Sequence, residues 1–266
     1  MPVIPLFIGV AIALSAIMAG AWAIARHPGK SGWTDAIWSL GIGVAGVVVA
    51  MSARGIASRQ WLVAGLVAAW SLRLGLHIAR RTIGHGDDPR YADLRREWGA
   101  GFARRLFGFL QIQAFAALLL VVSIFLAAAN PAPRIGWSDW LGTIIMILAI
   151  VGEGIADSQL AAFRANPANQ RRVCDVGLWG LSRHPNYFYE WLGWTAYAVI
   201  AIGPAGAYSW GWLALSGPAF MYLLLVHVSG IPPLEAHMLR SRGAAFVDYQ
   251  ARVSAFWPFS KQGAWR

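Results

Sequence analysis

The sequence predicts an all-α, polytopic integral membrane protein with seven transmembrane helices, its N-terminus outside and its C-terminus cytoplasmic. Three observations carry this. The chain is 58% hydrophobic and 13% charged, with a mean hydropathy of +0.51, whereas soluble domains carry about 25% charged residues. Its apolar residues gather in runs of roughly twenty, the length a helix needs to cross the hydrocarbon core; in lipid, where every backbone polar group must be satisfied internally, such runs form helices. Its basic residues fall on alternate loops. The single cysteine, Cys174, excludes a disulfide scaffold.

The apolar runs are 3–25, 34–53, 60–80, 106–129, 138–160, 187–204 and 209–229. The first has no Lys or Arg before Arg26, so it lacks the positive n-region of a signal peptide and is read as a retained helix. In the second, Gly41-Ile42-Gly43-Val44-Ala45-Gly46 fits a dinucleotide-binding glycine pattern by letter only. No strand precedes it, so it reads as close helix packing. The net charge of +10 is a topology signal before it is a nucleic-acid signal. Of the 22 Lys and Arg, 18 lie after runs one, three, five and seven, while Arg54, Arg59 and Arg134 lie on the other side and Arg73 sits inside the third run. An even number of spans would destroy this asymmetry. The 15 tryptophans suit interfacial belts. No repeat, low-complexity stretch or separate soluble domain interrupts the chain, and the Ala/Arg-rich composition suggests a bacterial inner membrane.

Charge within a membrane marks function by default. Asp35, Arg73, His77, Glu153, Asp157, Glu190 and Glu235 stand out. Asp35 reads either as part of the N-terminal cap of the second helix or as a substrate-facing acid. Arg73 and His77, spaced i, i+4, share a face of the third helix, either as a structural pair or as part of a site. Glu153 and Asp157 share a face of the fifth, and Arg164 follows two turns later.

The richest segment is 157–190, DSQLAAFRANPANQRRVCDVGLWGLSRHPNYFYE. Asn166-Pro167 breaks the helix, because the residue before a proline leaves the helical region. Arg171 and Arg172 form a cationic pair able to hold phosphate. Gly177 and Gly180 flank Leu178-Trp179, a turn carrying an aromatic plate. Arg183-His184-Pro185 starts a new helix, with proline suited to its first turn, and Asn186 and Glu190 point the same way along it. Together these groups suit a large, polar, phosphorylated cofactor. His27, His85 and His227 lack metal-ligand spacing, so no metal site is predicted.

At these residues the sequence resembles the DUF1295 branch of the steroid 5-alpha-reductase and sterol C14-reductase group. The likeness rests on Asp157, Arg164, Asn166-Pro167-Ala168-Asn169, Leu178-Trp179, Arg183-His184-Pro185-Asn186-Tyr187 and Glu190. It continues in His237, Arg242-Gly243, Phe246, Tyr249, Arg252 and Phe256-Trp257-Pro258, and is fainter over 60–105. The resemblance implies NADPH held at the cytoplasmic side by Asp157, Arg164, Arg172, Asn186 and Glu190, with Arg183, Tyr187, His237 and Tyr249 as further contacts. Residues 1–130 would form the substrate-side helices, and 131–266 the cofactor-binding helices and tail of a single membrane domain. Arg164 and Arg172 would bind the pyrophosphate or 2′-phosphate, and Asn186 and Glu190 the carboxamide or ribose. Eukaryotic-type steroid 5-alpha-reductases resemble one another in a Gln-Glu pair on span 2 and a Tyr on span 3 that polarise an enone carbonyl. Span 2 here has Asp35 as its only carboxylate, and span 3 has Arg73 and His77. The implied reaction is hydride transfer to a conjugated C=C of a hydrophobic substrate drawn from the bilayer lipid. Asp35, His77 or Arg73 would stabilise the enolate, and His77 is the natural proton donor.

An S-adenosylmethionine-dependent membrane methyltransferase of the isoprenylcysteine or phospholipid type shares the Arg-His-Pro-x-Tyr stretch. Two features favour the reductase. S-adenosylmethionine has no phosphate for the upstream arginines, and Glu235 stands alone where such methyltransferases carry a Glu-Glu pair. A transporter would show repeats or broken helices in matching halves.

Overall fold

The computed structural model describes residues 2–83, 89–203 and 206–259. His85, Lys261 and Arg266 lie outside them. The described chain is helical and contains no strand. Its helices are α1 (Val3–Ala25), α2 (Trp33–Ser52), α3 (Ala57–Thr82), α4 (Pro89–Trp98), α5 (Phe102–Ala129), α6 (Trp137–Ala165), α7 (Pro185–Ile202), α8 (Ser216–Tyr222), α9 (Ile231–Arg242) and α10 (Ala244–Arg252). Among the described residues six helical stretches are long and apolar enough to cross a membrane: α1, α2, α3, Arg90–Ala129, α6 and Ser209–Arg242. The protein is accordingly an integral membrane protein. The run at 187–204 is the 18-residue helix α7, which is not one of the six. Asn186, Tyr187, Tyr189 and Glu190 make its first turns polar.

Two runs depart from single regular helices. The fourth is preceded by the short helix α4, set off by the turn Gly99–Gly101. The seventh breaks into a 3₁₀ segment (Ser209–Leu215), α8 and a π-helical turn (Leu223–Val228). The wide turn has a local cause. Ser229 N and Gly230 N both donate to the Leu224 carbonyl, and Pro232 and Pro233, lacking N–H groups, restart the chain as α9.

The chain divides into two compact units. Unit 1 comprises residues 1–143 and 197–217. The glycine run of α2 packs against its neighbours there. A Cβ on Gly43 would lie 2.0 Å from Ser71 Oγ on α3, and one on Gly46 would lie 2.7 Å from Val67. This close approach lets Ser71 Oγ donate to the Ser39 carbonyl at 3.0 Å. Helix α1 is joined to α5 by Ser15 and Gln111, whose side chains hydrogen-bond at 2.6 Å. At one end of the unit Arg59 is buried against Asp139 (2.7 Å). It also donates to the carbonyls of Asn130, Ala132 and Arg134, so all five guanidinium hydrogens are used. Asn130 Nδ2 in turn donates to the carbonyls of Ile200 and Ala201. These bonds gather the start of α3, the end of α5, the start of α6 and the end of α7 on one side of the unit.

Unit 2 comprises residues 144–196 and 218–266. Helices α6 and α7 touch where the ring of Tyr189 lies over Gly152, so close that a Cβ there would be 2.3 Å from it. Phe246, Tyr249 and Val253 form a small core with Val173 and Met238. Phe188, Trp191, Tyr222, Phe256 and Trp257 meet edge to face beside it.

Candidate functional site

Most of the polar segment singled out in the sequence folds within unit 2. Helix α6 ends at Ala165, and Asn166, extended before its proline, accepts from Ala168 N at 3.0 Å through Oδ1. Asn169 Nδ2 donates back to the Phe163 carbonyl, and Arg172 Nη1 lies 3.4 Å from Asn169 Oδ1. Between them Arg171 adopts φ 63°, the one non-glycine residue with positive φ among those described. A left-handed arginine costs of order 1 kcal/mol. The turn presents Arg171 and Arg172 side by side and exposed. Arg164 is exposed at the end of α6, and Asp157 is half-buried two turns earlier.

The next stretch is tied to α6. Leu178 N donates to Gln159 Oε1 (2.9 Å), and Trp179 Nε1 donates to the Ala156 carbonyl (2.9 Å). Tyr249 of α10 donates its hydroxyl hydrogen to the Trp179 carbonyl at 2.5 Å. Burial pushes the Tyr249 phenol well above its ordinary value, so it stays a neutral donor.

Below this lies a buried ionic cluster centred on Glu235 of α9. Arg183 Nε donates to Glu235 Oε1 (2.8 Å) and Nη2 to Oε2 (3.1 Å). His184 Nε2 is 3.0 Å from Oε1, and Gln250 Nε2 donates to Oε2 at 2.7 Å. Four donors thus saturate the carboxylate. Arg183 Nη1 reaches the Gln250 and Val253 carbonyls, and Arg183 N donates to the Ser254 carbonyl at 2.9 Å. Segment 249–256 therefore straps 179–184 in place, with Ser182 Oγ donating to the Phe256 carbonyl (2.9 Å). Burial lowers the pKa of His184 below the ordinary histidine value, and the adjacent Glu235 offsets only part of that. The ring stacks on Tyr187 at 5.4 Å and 11°.

Asn186 is half-buried one residue from this cluster. Glu190, buried one turn on, accepts from Trp194 Nε1 at 2.9 Å. His237 is half-buried on α9. The structure thus assembles Trp179, Arg183, His184, Tyr187 and Tyr249 into one connected arrangement, and sets Arg164, Arg171 and Arg172 on the polar turn that precedes it. Glu235 and Gln250 are the members that the sequence did not assign to the site. Both are far along the chain from the residues they hold; the sequence singled out Glu235 as a charge near the membrane without giving it a partner.

The residues predicted for substrate lie in unit 1. Asp35, in the first turn of α2, is ion-paired with Arg90 and accepts from the Tyr91 hydroxyl at 3.3 Å. Arg90 and Tyr91 of α4 were not singled out in the sequence. Arg73 and His77 are half-buried one turn apart on α3.

One comparison with known proteins identifies a family. The model of the family described as "Protein of unknown function (DUF1295)" matches residues 21–253, and the chain belongs to that family. No curated protein and no solved structure matches it.

Proposed function

We propose that this DUF1295 protein is an NADPH-dependent reductase of the steroid 5-alpha-reductase and sterol C14-reductase type. In this reading it spans a bacterial inner membrane seven times with its C-terminus cytoplasmic, and it reduces a conjugated C=C of a steroid-like or other lipid substrate. The observation that carries the reading is the donor set of unit 2. Two adjacent exposed arginines sit on a turn held by Asn166 and Asn169, and a buried imidazole nitrogen, His184 Nδ1, has no hydrogen-bond partner among the described residues. Cationic forks suit the phosphates of a dinucleotide, and an orphaned buried acceptor suits a ligand hydroxyl or amide. The seven-span arrangement is supported by Asn130, whose bonds to Ile200 and Ala201 bring α7 back to the side where α6 begins.

The chemistry supplied by NADPH, when bound, is a hydride for the β-carbon of an enone. Arg164, Arg171 and Arg172 are assigned to its phosphates, with Asp157, Asn166, Leu178, Asn186, Glu190 and His237 also assigned to the cofactor. On the substrate side the chain must steady negative charge on the carbonyl oxygen and deliver one proton. The Arg73 guanidinium is the donor for that oxygen, while the one hydrogen of the Tyr91 hydroxyl is already given to Asp35. His77 is assigned the proton.

Ligand titration of the purified protein, followed by thermal shift, tests the reading. NADPH should give saturable stabilisation of a few degrees, rising as RT ln(1 + [L]/Kd). Arg172→Ala should weaken NADPH about tenfold and NADH far less. Stabilisation by S-adenosylmethionine with none by NADPH would sink the reductase assignment in favour of methyl transfer.

A further inference from the structure

His184 is 3% exposed, yet only one of its ring nitrogens is engaged. Nε2 faces Glu235 Oε1. Nδ1 is buried and has no hydrogen-bond partner among the described residues. The surroundings fix which nitrogen carries hydrogen. Glu235 is acceptor-only and is already bonded by the Arg183 guanidinium and by Gln250, so Nε2 must donate. A second ring proton would place another positive charge beside Arg183 in a buried site with one carboxylate between them. Nδ1 is therefore left as a bare lone pair. Turning the ring over would not satisfy it, because the flip keeps the stacking on Tyr187 but takes Nε2 away from Glu235. Buried acceptors without donors are costly and rare in folded proteins.

We propose that His184 Nδ1 is a ligand-binding atom that accepts a hydroxyl or amide hydrogen from the molecule held in unit 2. Glu235 is the positioning residue, acting through His184: with Arg183 and Gln250 as its supports, it fixes the tautomer that leaves Nδ1 open. The inference rests on the cofactor reading above for the identity of the ligand. NADPH offers donors of both kinds in its ribose hydroxyls and its carboxamide.

The test is nitrogen NMR of detergent-solubilised full-length protein labelled with ¹⁵N-histidine, the His184 signals being assigned by their loss in His184→Gln. The resting protein should show a protonated Nε2 and an unprotonated Nδ1, and NADPH should move the Nδ1 signal upfield as the lone pair takes up a hydrogen bond. Saturation is measured separately by thermal shift. If NADPH saturates and the Nδ1 signal stays put, the proposal is overturned while the cofactor reading stands. If NADPH does not bind, the cofactor reading falls. The same signal is then followed with S-adenosylmethionine; movement upholds the role of His184, and immobility with both ligands overturns it. Two variants separate the nitrogens. The amide of His184→Gln can still donate to Glu235 but leaves no acceptor in place of Nδ1, and it should weaken NADPH about three- to tenfold. His184→Asn, whose Oδ1 falls near the position of Nδ1, should recover most of that loss. Wild-type affinity in the Gln variant also overturns the proposal.

Discussion

Burial holds the His184 pKa below the ordinary histidine value even with Glu235 beside it, and this gives the fold a pH dependence of definite sign. The unfolded chain takes up a proton near pH 6.5, while the folded chain resists it. Below that pH the unfolded state binds more protons, so stability falls as the solution is acidified. The contribution is fully present above about pH 6.5 and is lost as pH drops through the lower folded-state value. Thermal melts of the detergent-solubilised protein at pH 7.5, 6.5 and 5.5 should show a falling midpoint, and His184→Gln should flatten the profile over that window. An equal slope in the variant would assign the effect to other groups.

At the scale of elements, the link between α5 and α6 shows how much one side chain can organise. Arg59 uses all of its donors on the connection and on Asp139, and Asp139 Oδ2 also accepts from Gly136 N at 2.8 Å. Arg59→Met would leave Asp139 buried without its cation, a loss of about 3–5 kcal/mol for a broken buried pair. The midpoint of thermal unfolding in detergent should drop by several degrees. The double variant Arg59→Met with Asp139→Leu should recover only part, since three carbonyls still lack their donor. A single variant as stable as wild type would show that the loop is held by other means. The sequence located Arg59 but not this role, because its partners lie 71 to 80 residues away. Distance along the chain likewise hid the hub of the candidate site, where Arg183 and His184 were legible from the Arg-His-Pro start of α7 and Glu235 stood out as a charge, but their pairing across 51 to 52 residues was not legible. Apolar runs marked where helices lie, and Asn166-Pro167 marked the end of α6 to within a residue. Short amphipathic helices such as α4 and α10 carry no twenty-residue run, and the π-turn in the last apolar stretch is closed by backbone bonds from Ser229 and Gly230 to Leu224. Those features depend on packing and backbone bonding that hydropathy does not record.

For the whole molecule, the prediction concerns sidedness. The ends of unit 1 gathered by Arg59 and Asn130 carry exposed tryptophans, Trp61, Trp137, Trp140, Trp210 and Trp212. Amphipathic rings of this kind settle at a lipid–water interface. That side has few cations, Arg54, Arg59 and Arg134, and the proposed topology assigns it to the outside. A fluorescent protein fused after residue 266 should therefore fold and fluoresce in a bacterial host. Alkaline phosphatase inserted between Arg54 and Gly55 should be active. Fluorescence lost at the C-terminus together with an inactive phosphatase insertion would reverse the orientation.

The strap of residues 249–256 has a consequence for biogenesis. Its partners at 179–184 are synthesised about seventy residues earlier, and chains fold from the N-terminus as they are made. Until the strap emerges, Ser182 has no carbonyl to meet and Arg183 lacks the carbonyls that hold Nη1. The cluster therefore closes late, after the apolar helices have been inserted. A nascent chain stalled or cut before residue 249 would carry apolar helices and a polar cluster still open where the strap belongs. Completion of the site thus waits on residues far along the chain from those they fix.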